Sequence, residues 1–492
     1  MTTYDKSMIK LFSVVAIALL PLAAVGKNVQ HFGLGMPVAL QISDLPESKL
    51  RTKLNMLSSI AQQKALKTLR KLSFTDQDLQ YLQVDNNGGI LFVDSFLPPT
   101  QPITKVFSQI EKPTLISASD AFSLHSRPGA KKIIYLDFTG MDITGTAWND
   151  QNKVPAFNAQ AYDTDGSPDT FSSDELNGIA DIWHRVAEDY MPFNVDVTTK
   201  EPKIFGPTVG RILITKNVDK NGVLMPSSTA GGVAYVGVWG QSIYTYASPA
   251  LVYFNNLGAG ASHFVAEAAS HEMGHNLGLS HDGTSSVGFY AGIGSGFISW
   301  APIMGASYYT NITQWSKGEY PDANQKEDDI AIIKANLGYS ADDHGNTLVA
   351  ATPLVIDGNG NISATTVETD PLNADKSNKG VIGKSSDVDY FSFAVGAGPA
   401  NITVTPAWDA FYNSKYRGAN LDIQARLYRW DGKLLQISDP LADTKAVLSK
   451  TLAAGQYYLA IKGVGNTLTP YSKYGSLGQY FIRGIVTVPP QN

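Results

Sequence analysis

Three histidines and one glutamate fall within a single run of eleven residues, His271-Glu272-Met273-Gly274-His275-Asn276-Leu277-Gly278-Leu279-Ser280-His281. His271 and His275 stand four apart, so a helix projects both imidazoles from one face. Glu272 lies one step round that helix, where its carboxylate can reach water at a bound metal. Gly278 suits the point at which the helix stops and the backbone turns left-handed. The reversal brings His281 back as a third nitrogen ligand. Three nitrogens with one position left for water make an open, reactive zinc centre, unlike the four-ligand closure of structural sites. The H-E-x-x-H core alone can arise on a surface helix that binds nothing. The extended H-E-x-x-H-x-x-G-x-x-H form is far more specific.

Downstream comes Ala301-Pro302-Ile303-Met304-Gly305-Ala306, an apolar run ending in Met-Gly. Its order after the third histidine resembles the Met-turn, whose methionine lies beneath the metal ligands. On these residues, segment 271–304 resembles the metzincin metallopeptidases. Asp282, directly after the third histidine, resembles their adamalysin/reprolysin branch. The resemblance implies zinc ligands at His271, His275 and His281, a general base at Glu272, and support from Met304 and Gly278. In that branch Asp282 would be a buried acid anchoring its loop. Asp282-Gly283 is equally a common turn pair, and both readings stand. Astacin-like and serralysin-like members carry a tyrosine two residues after the methionine; here that residue is Ala306, so a tyrosine ligand is not expected, although Tyr308 and Tyr309 follow.

At 492 residues and a net charge of −6, the chain has room for two or three domains, and its mild acidity gives no reason to expect nucleic acid as a partner. Lys6 and Lys10, the apolar run 11–20 and the small residues Ala23-Ala24-Val25-Gly26 read as a cleaved secretory signal. No later stretch is long and apolar enough to suggest a span, so no membrane association is expected after its removal. The chain contains no cysteine, so cores and metals, not disulfides, must hold it. Animal adamalysin relatives are usually disulfide-rich, so the resemblance points to a bacterial protein exported through the periplasm to the exterior. The missing thiol also excludes a cysteine-based latency switch.

The elements that must position the motif follow. Residues 1–26 are the signal and 27–127 an α+β pro-region, expected to act as an intramolecular inhibitor. In it Leu50, Leu54, Leu57, Ala61, Ala65, Leu69 and Leu72 recur at helical spacing. Asn86-Asn87-Gly88-Gly89 between two apolar runs marks a hairpin. Pro98, Pro99, Pro102 and Pro113 then suggest a linker. Asp120 or His125 is the candidate to cap the zinc in the latent form. Residues 128–340 are the metzincin-like domain, with strands over 132–138, 193–197, 212–214, 231–237 and 250–254. A helix follows Ser173 as N-cap, the zinc helix runs 262–277, and a closing helix spans 327–337. In metzincins an edge strand pairs antiparallel with substrate; Gly232, Val233, Ala234 and Tyr235 match it in position and character. Glu267, four residues before His271 on the same side, reads as an exposed helix carboxylate, with an acid behind the metal ligands as the alternative, and His263 as a residue of the helix start in preference to a fourth ligand.

From 341 to 492 short strands and turn residues resemble the bacterial pre-peptidase C-terminal domain, a β-sandwich. Its acidic pairs are candidates for calcium, with surface turns the favoured reading. The fold class is therefore α+β: a twisted mixed sheet with a long zinc-binding helix, an N-terminal α+β pro-region and a C-terminal β-sandwich. The function expected is a secreted zinc endopeptidase, latent as made, with one catalytic zinc, polypeptide substrates and a monomeric state. A metal-loaded binding scaffold and an amidase of non-protein amides are the alternatives from other classes.

Overall fold

A computed structural model describes residues 29–95, 117–366, 370, 373–407 and 419–490. The expected signal segment and the expected proline-rich linker lie outside the described residues.

A seven-stranded mixed sheet organises the first two thirds of the chain. Its order is Leu82–Val84, Ile90–Asp94, Gly232–Tyr235, Ala250–Tyr253, Val209–Thr215, Ile133–Asp137 and Asp196–Thr198. The last four strands run parallel to one another, and the first three meet their neighbours antiparallel. The parallel strands are mainly apolar, as burial on both faces requires, with Asp137, Asp196 and Arg211 as their charged residues. Ile134, Leu136, Ile212, Ile214 and Leu251 have no exposed surface, and burying each contributes roughly 1.5–3 kcal/mol.

Two helices pack together beside this sheet. Ser173–Tyr190 is N-capped by Ser172, not Ser173. Ser172 Oγ accepts from Glu175 N, and Glu175 Oε2 accepts from Ser172 N at 2.8 Å, a reciprocal capping box. Ser262–Leu277 has no side-chain cap, and all but its first residue are buried, so packing stabilises it instead. Tyr190 Oη donates to the Ser270 carbonyl at 2.9 Å and ties the two helices together. Gly278, at φ +108°, ends the long helix in the left-handed region. The closing helix is Asp329–Leu337, capped by Asp328.

The N-terminal region departs from the sequence reading in two ways. Its leucine stripe forms two helices, Lys49–Met56 and Ser59–Leu69, because Ser58 caps a second start. Its hairpin, Leu82–Val84 and Ile90–Asp94, extends the main sheet: Ile90–Asp94 pairs with Gly232–Tyr235, so the latter is an interior strand.

The C-terminal third is β-rich, with two five-stranded sheets. One contains Asp389–Val395, Gly455–Gly463 and Ile423–Arg429; the other contains Gly478–Val486, Gly398–Pro406 and Ala446–Leu452. Glu188 and Asp189 of the capped helix join this part to the rest, accepting from Gln479 N at 3.0 Å and Asn420 Nδ2 at 2.9 Å. Among the described residues no helix is long and apolar enough to cross a membrane.

Candidate metal centre

The long helix places His271 and His275 side by side on its inner face, and the chain reversal at Gly278 returns His281 to them. All three are buried. Each Nδ1 faces an acceptor: the Ile303 carbonyl for His271 at 2.9 Å, the Leu279 carbonyl for His275 at 2.8 Å, and Asp78 Oδ1 for His281 at 3.1 Å. A carbonyl can only accept, so Nδ1 of His271 and His275 must carry a proton. The Nε2 lone pairs are thereby aimed inward, the arrangement that metal-ligating histidines adopt.

A fourth donor meets them. Asp94, the last residue of the Ile90–Asp94 strand, sets Oδ1 2.9 Å from His281 Nε2. Its Oδ2 lies 3.2 Å from His275 Nε2 and 3.4 Å from His271 Nε2. The four ligand atoms all fall within 4.8 Å of one another. A tetrahedral zinc with bonds of about 2.0–2.1 Å has ligand-to-ligand edges of about 3.3–3.4 Å. The residues present therefore fit zinc in donor type, count and spacing.

Charge among these four side chains and Glu272 is shared unevenly. Burial opposes ionisation of Asp94, yet His281, His275 and His271 hold its carboxyl well below the usual range. Burial pushes His275 down to about 4. The same burial acts on His281, but Asp94 and Asp78 outweigh it and lift the ring to about 9. Burial, followed by the Asp94 charge, raises Glu272 well above the ordinary glutamate range. A metal at Nε2 would displace the histidine protons and so couples binding to pH.

Glu272 lies against Gly232, and the absence of a side chain there is necessary. A Cβ on Gly232 would sit 2.0 Å from Glu272 Oε1. Met304 packs under the helix at Gly274, where an added Cβ would come within 2.6 Å of Met304 Sδ. Asp282 is buried; its amide donates to the Met304 carbonyl at 2.8 Å and its carboxyl accepts from Tyr320 Oη at 3.3 Å. Burial pushes that carboxyl up to about 7. The loop after the third histidine is thus tied directly to the turn containing Met304. Gly232, Val233, Ala234 and Tyr235 are all buried, with their outer edge paired to Ile90–Asp94.

Several expectations need correction. Neither Asp120 nor His125 approaches the histidines. Asp120 accepts from Ser117 at the start of a short helix, and His125 Nδ1 pairs with Asp196 at 2.7 Å. Glu267 is not exposed: it faces inward, accepts from Ser307 Oγ at 2.6 Å, and is pushed up to about 7 by burial. His263, as expected, sits at the start of the helix, against Phe264. Tyr308, four residues after Met304, lines the small pocket beside His271, Glu272 and Asp94. In the C-terminal part Asp342, Asp343 and Asp389 cluster, but Asp389 already accepts from Tyr480 Oη at 2.6 Å and Asp343 from Val381 N at 3.1 Å. That arrangement does not support calcium.

Asp94, Asp78 and Phe92 were missed from the sequence. Phe92 covers the rings of His275 and His281 at centroid distances of 4.4 and 4.2 Å. The only local signal was an aspartate ending an apolar strand, Ile-Leu-Phe-Val-Asp. Its histidine partners lie 181 and 187 positions away.

Residues 184–282 match the profile of the reprolysin-like metallopeptidases of family M12B. The match ends at Asp282 and contains all three histidines and Glu272, and it supports zinc-dependent peptide hydrolysis. No curated protein matches the chain. Among solved structures, the pre-peptidase C-terminal domain of a Bacillus anthracis collagenase is similar at 13% identity, over 27% of this chain and 93% of that one, with a TM-score of 0.18. The Aeromonas hydrophila protein PliG, a periplasmic inhibitor of g-type lysozyme, is similar at 12% identity, over 28% and 96%, with a TM-score of 0.18. At such scores neither carries an argument about this chain.

Proposed function

We propose that the protein is a zinc endopeptidase, exported as a latent monomeric precursor from a bacterial cell. In this reading 1–26 is the signal, 27–127 the pro-region, 128–340 the peptidase domain and 341–492 a C-terminal β-sandwich. The observation that carries it is the convergence of the His271, His275 and His281 Nε2 atoms, with Glu272 beside them.

His271, His275 and His281 would hold the zinc. The ion would supply a Lewis acid for the scissile carbonyl and lower the pKa of water to about 7. Glu272 takes the proton of the attacking water and returns it to the leaving amine. Glu272 is buried beside His271 and can hold that proton between the two transfers. The main chain of Gly232–Tyr235, once uncovered, offers unpaired amides and carbonyls to an extended polypeptide. Gly232 leaves room for Glu272 against that strand. Met304 fixes the floor beneath the helix, and Asp282 fixes the loop of the third ligand.

Digestion of a proteome-derived peptide library, before and after limited proteolysis of the full chain and with a chelated control, tests this reading. Cleavage that disappears with the chelator and returns with zinc is expected. No cleavage by the zinc-loaded, processed chain would shift the reading to a binding scaffold or an amidase of non-protein amides.

A further inference from the structure

The C-terminal β-rich part meets the rest of the molecule at a buried seam. Leu421, Leu477 and Tyr480 belong to one apolar cluster with Tyr190, Trp315 and the main-sheet residues Ile134 and Leu213. Gly475 permits the close approach, because a Cβ there would come within 2.5 Å of the Trp315 carbonyl. Trp315 Nε1 in turn donates to the Asp189 carbonyl at 2.7 Å. A domain that is merely appended keeps a core of its own; here the core is shared.

Asn420 stands on this seam and points two ways. Its Nδ2 donates to Asp189 Oδ1 at 2.9 Å. The other oxygen of Asp189 accepts from Ser270 Oγ, and Ser270 directly precedes His271 on the long helix. The Asn420 carbonyl accepts from Gln314 Nε2. The Gln314 carbonyl accepts from Ile303 N at 2.9 Å, and the Ile303 carbonyl is the acceptor that faces His271 Nδ1. Asn420, Asp189, Ser270, Gln314 and Ile303 are all buried. In such a network no member can shift without leaving a neighbour's polar group unsatisfied. The direction of the His271 ring is therefore set from the helix side and from the Met304 side, and both lines of contact end on the same asparagine.

We propose that Asn420 is a positioning residue of the metal centre: its side-chain amide holds Asp189 against Ser270 and so fixes the helical turn that carries His271. Its carbonyl, bonded to Gln314, keeps the asparagine itself in place. The C-terminal part is then a working component of the metal-binding unit, and loosening it loosens the first ligand. This inference rests on the zinc-peptidase reading and extends that reading to residues beyond the histidine motif.

The test uses the full chain with cobalt(II) in place of zinc, reading its visible absorption and its affinity by competition with a chelating dye. Asn420→Ala removes the amide and keeps the carbonyl. It is expected to weaken cobalt binding about 10-fold, the lower end of what partners outside the ligand set contribute, and to alter the absorption spectrum. Ser270→Ala cuts the same path at its helix end and is expected to match it; this variant decides the matter should Asn420→Ala fail to fold. Tyr474→Phe breaks a different contact of the seam, from Tyr474 Oη to Asp328 at 2.7 Å, and is expected to bind cobalt as the wild type does. Wild-type affinity and spectrum in Asn420→Ala or in Ser270→Ala would overturn the inference. An equal loss in Tyr474→Phe would overturn it too, by tracing the effect to general loosening of the seam. The peptidase reading fails separately if the wild-type chain takes up no cobalt or zinc, or if His275→Ala takes up as much.

Discussion

The two halves of the shell around the candidate metal centre are built on opposite plans. His271, Glu272, His275, His281 and Met304 come from one continuous stretch, ordered by a helix, a left-handed glycine and a tight turn. Asp78, Phe92 and Asp94 come from a hairpin far away in sequence, brought in by strand pairing. The first half is ordered by signals local to its own stretch. The second depends on the pairing of Ile90–Asp94 with Gly232–Tyr235. A half local in sequence and a half brought in by strand pairing thus meet around one cluster.

The sharpest way to break the comparison is to destroy the local half. His275→Ala should lose bound zinc on dialysis and all hydrolysis with it, measured by metal analysis and peptide cleavage; Asp94 should not rescue either. Next comes the hairpin half. Phe92→Ala should cost about 3–5 kcal/mol where the hairpin packs on the histidine rings. Hydrogen exchange should accelerate over 82–94 while Ser262–Leu277 stays protected; equal acceleration in both would show that the halves open together. The seam between them is Gly232. Gly232→Ala forces a Cβ against the Glu272 carboxylate and should cost about 1–3 kcal/mol, lowering the cleavage rate of the processed chain with zinc content unchanged.

The smallest effect lies outside the centre, at the joint with the C-terminal part. Burial raises Glu188 to about 8 from an ordinary 4.5, against the opposing hydrogen bonds of Gln479. Between those values the folded chain holds a proton that the unfolded chain releases, so stability falls as pH rises from about 4.5 toward 8. Glu188→Gln should flatten part of that slope in denaturant titrations at pH 5 and pH 8. A slope identical to the wild type would show that Glu188 stays ionised in the folded protein.

Legibility in the sequence followed the same division. The helix Ser262–Leu277 and its stop at Gly278 were readable because ligand spacing and the glycine are local signals. The hairpin was readable from Asn-Asn-Gly-Gly, but its pairing partner was not, because nothing local encodes which sheet edge a strand will join. Gly232–Tyr235 was therefore read as an edge when Ile90–Asp94 covers it. Asp94 carries no motif, whereas Asp120 and His125, the caps expected from sequence, serve a helix start and an Asp196 pair. Glu267 was misread for a different reason: the metal-binding helix is buried all round, so it has no polar face from which exposure can be judged. The two N-terminal helices were merged because their leucine spacing runs through the break, and only the Ser58 cap reveals it.

The most direct test of the account is to measure zinc content and peptide cleavage together for Glu272→Gln, in the chain freed of its N-terminal region. The account predicts zinc bound as in the wild type and a cleavage rate lower by about 10²–10⁴-fold or more. A variant that keeps its zinc and cleaves at close to the wild-type rate would contradict it.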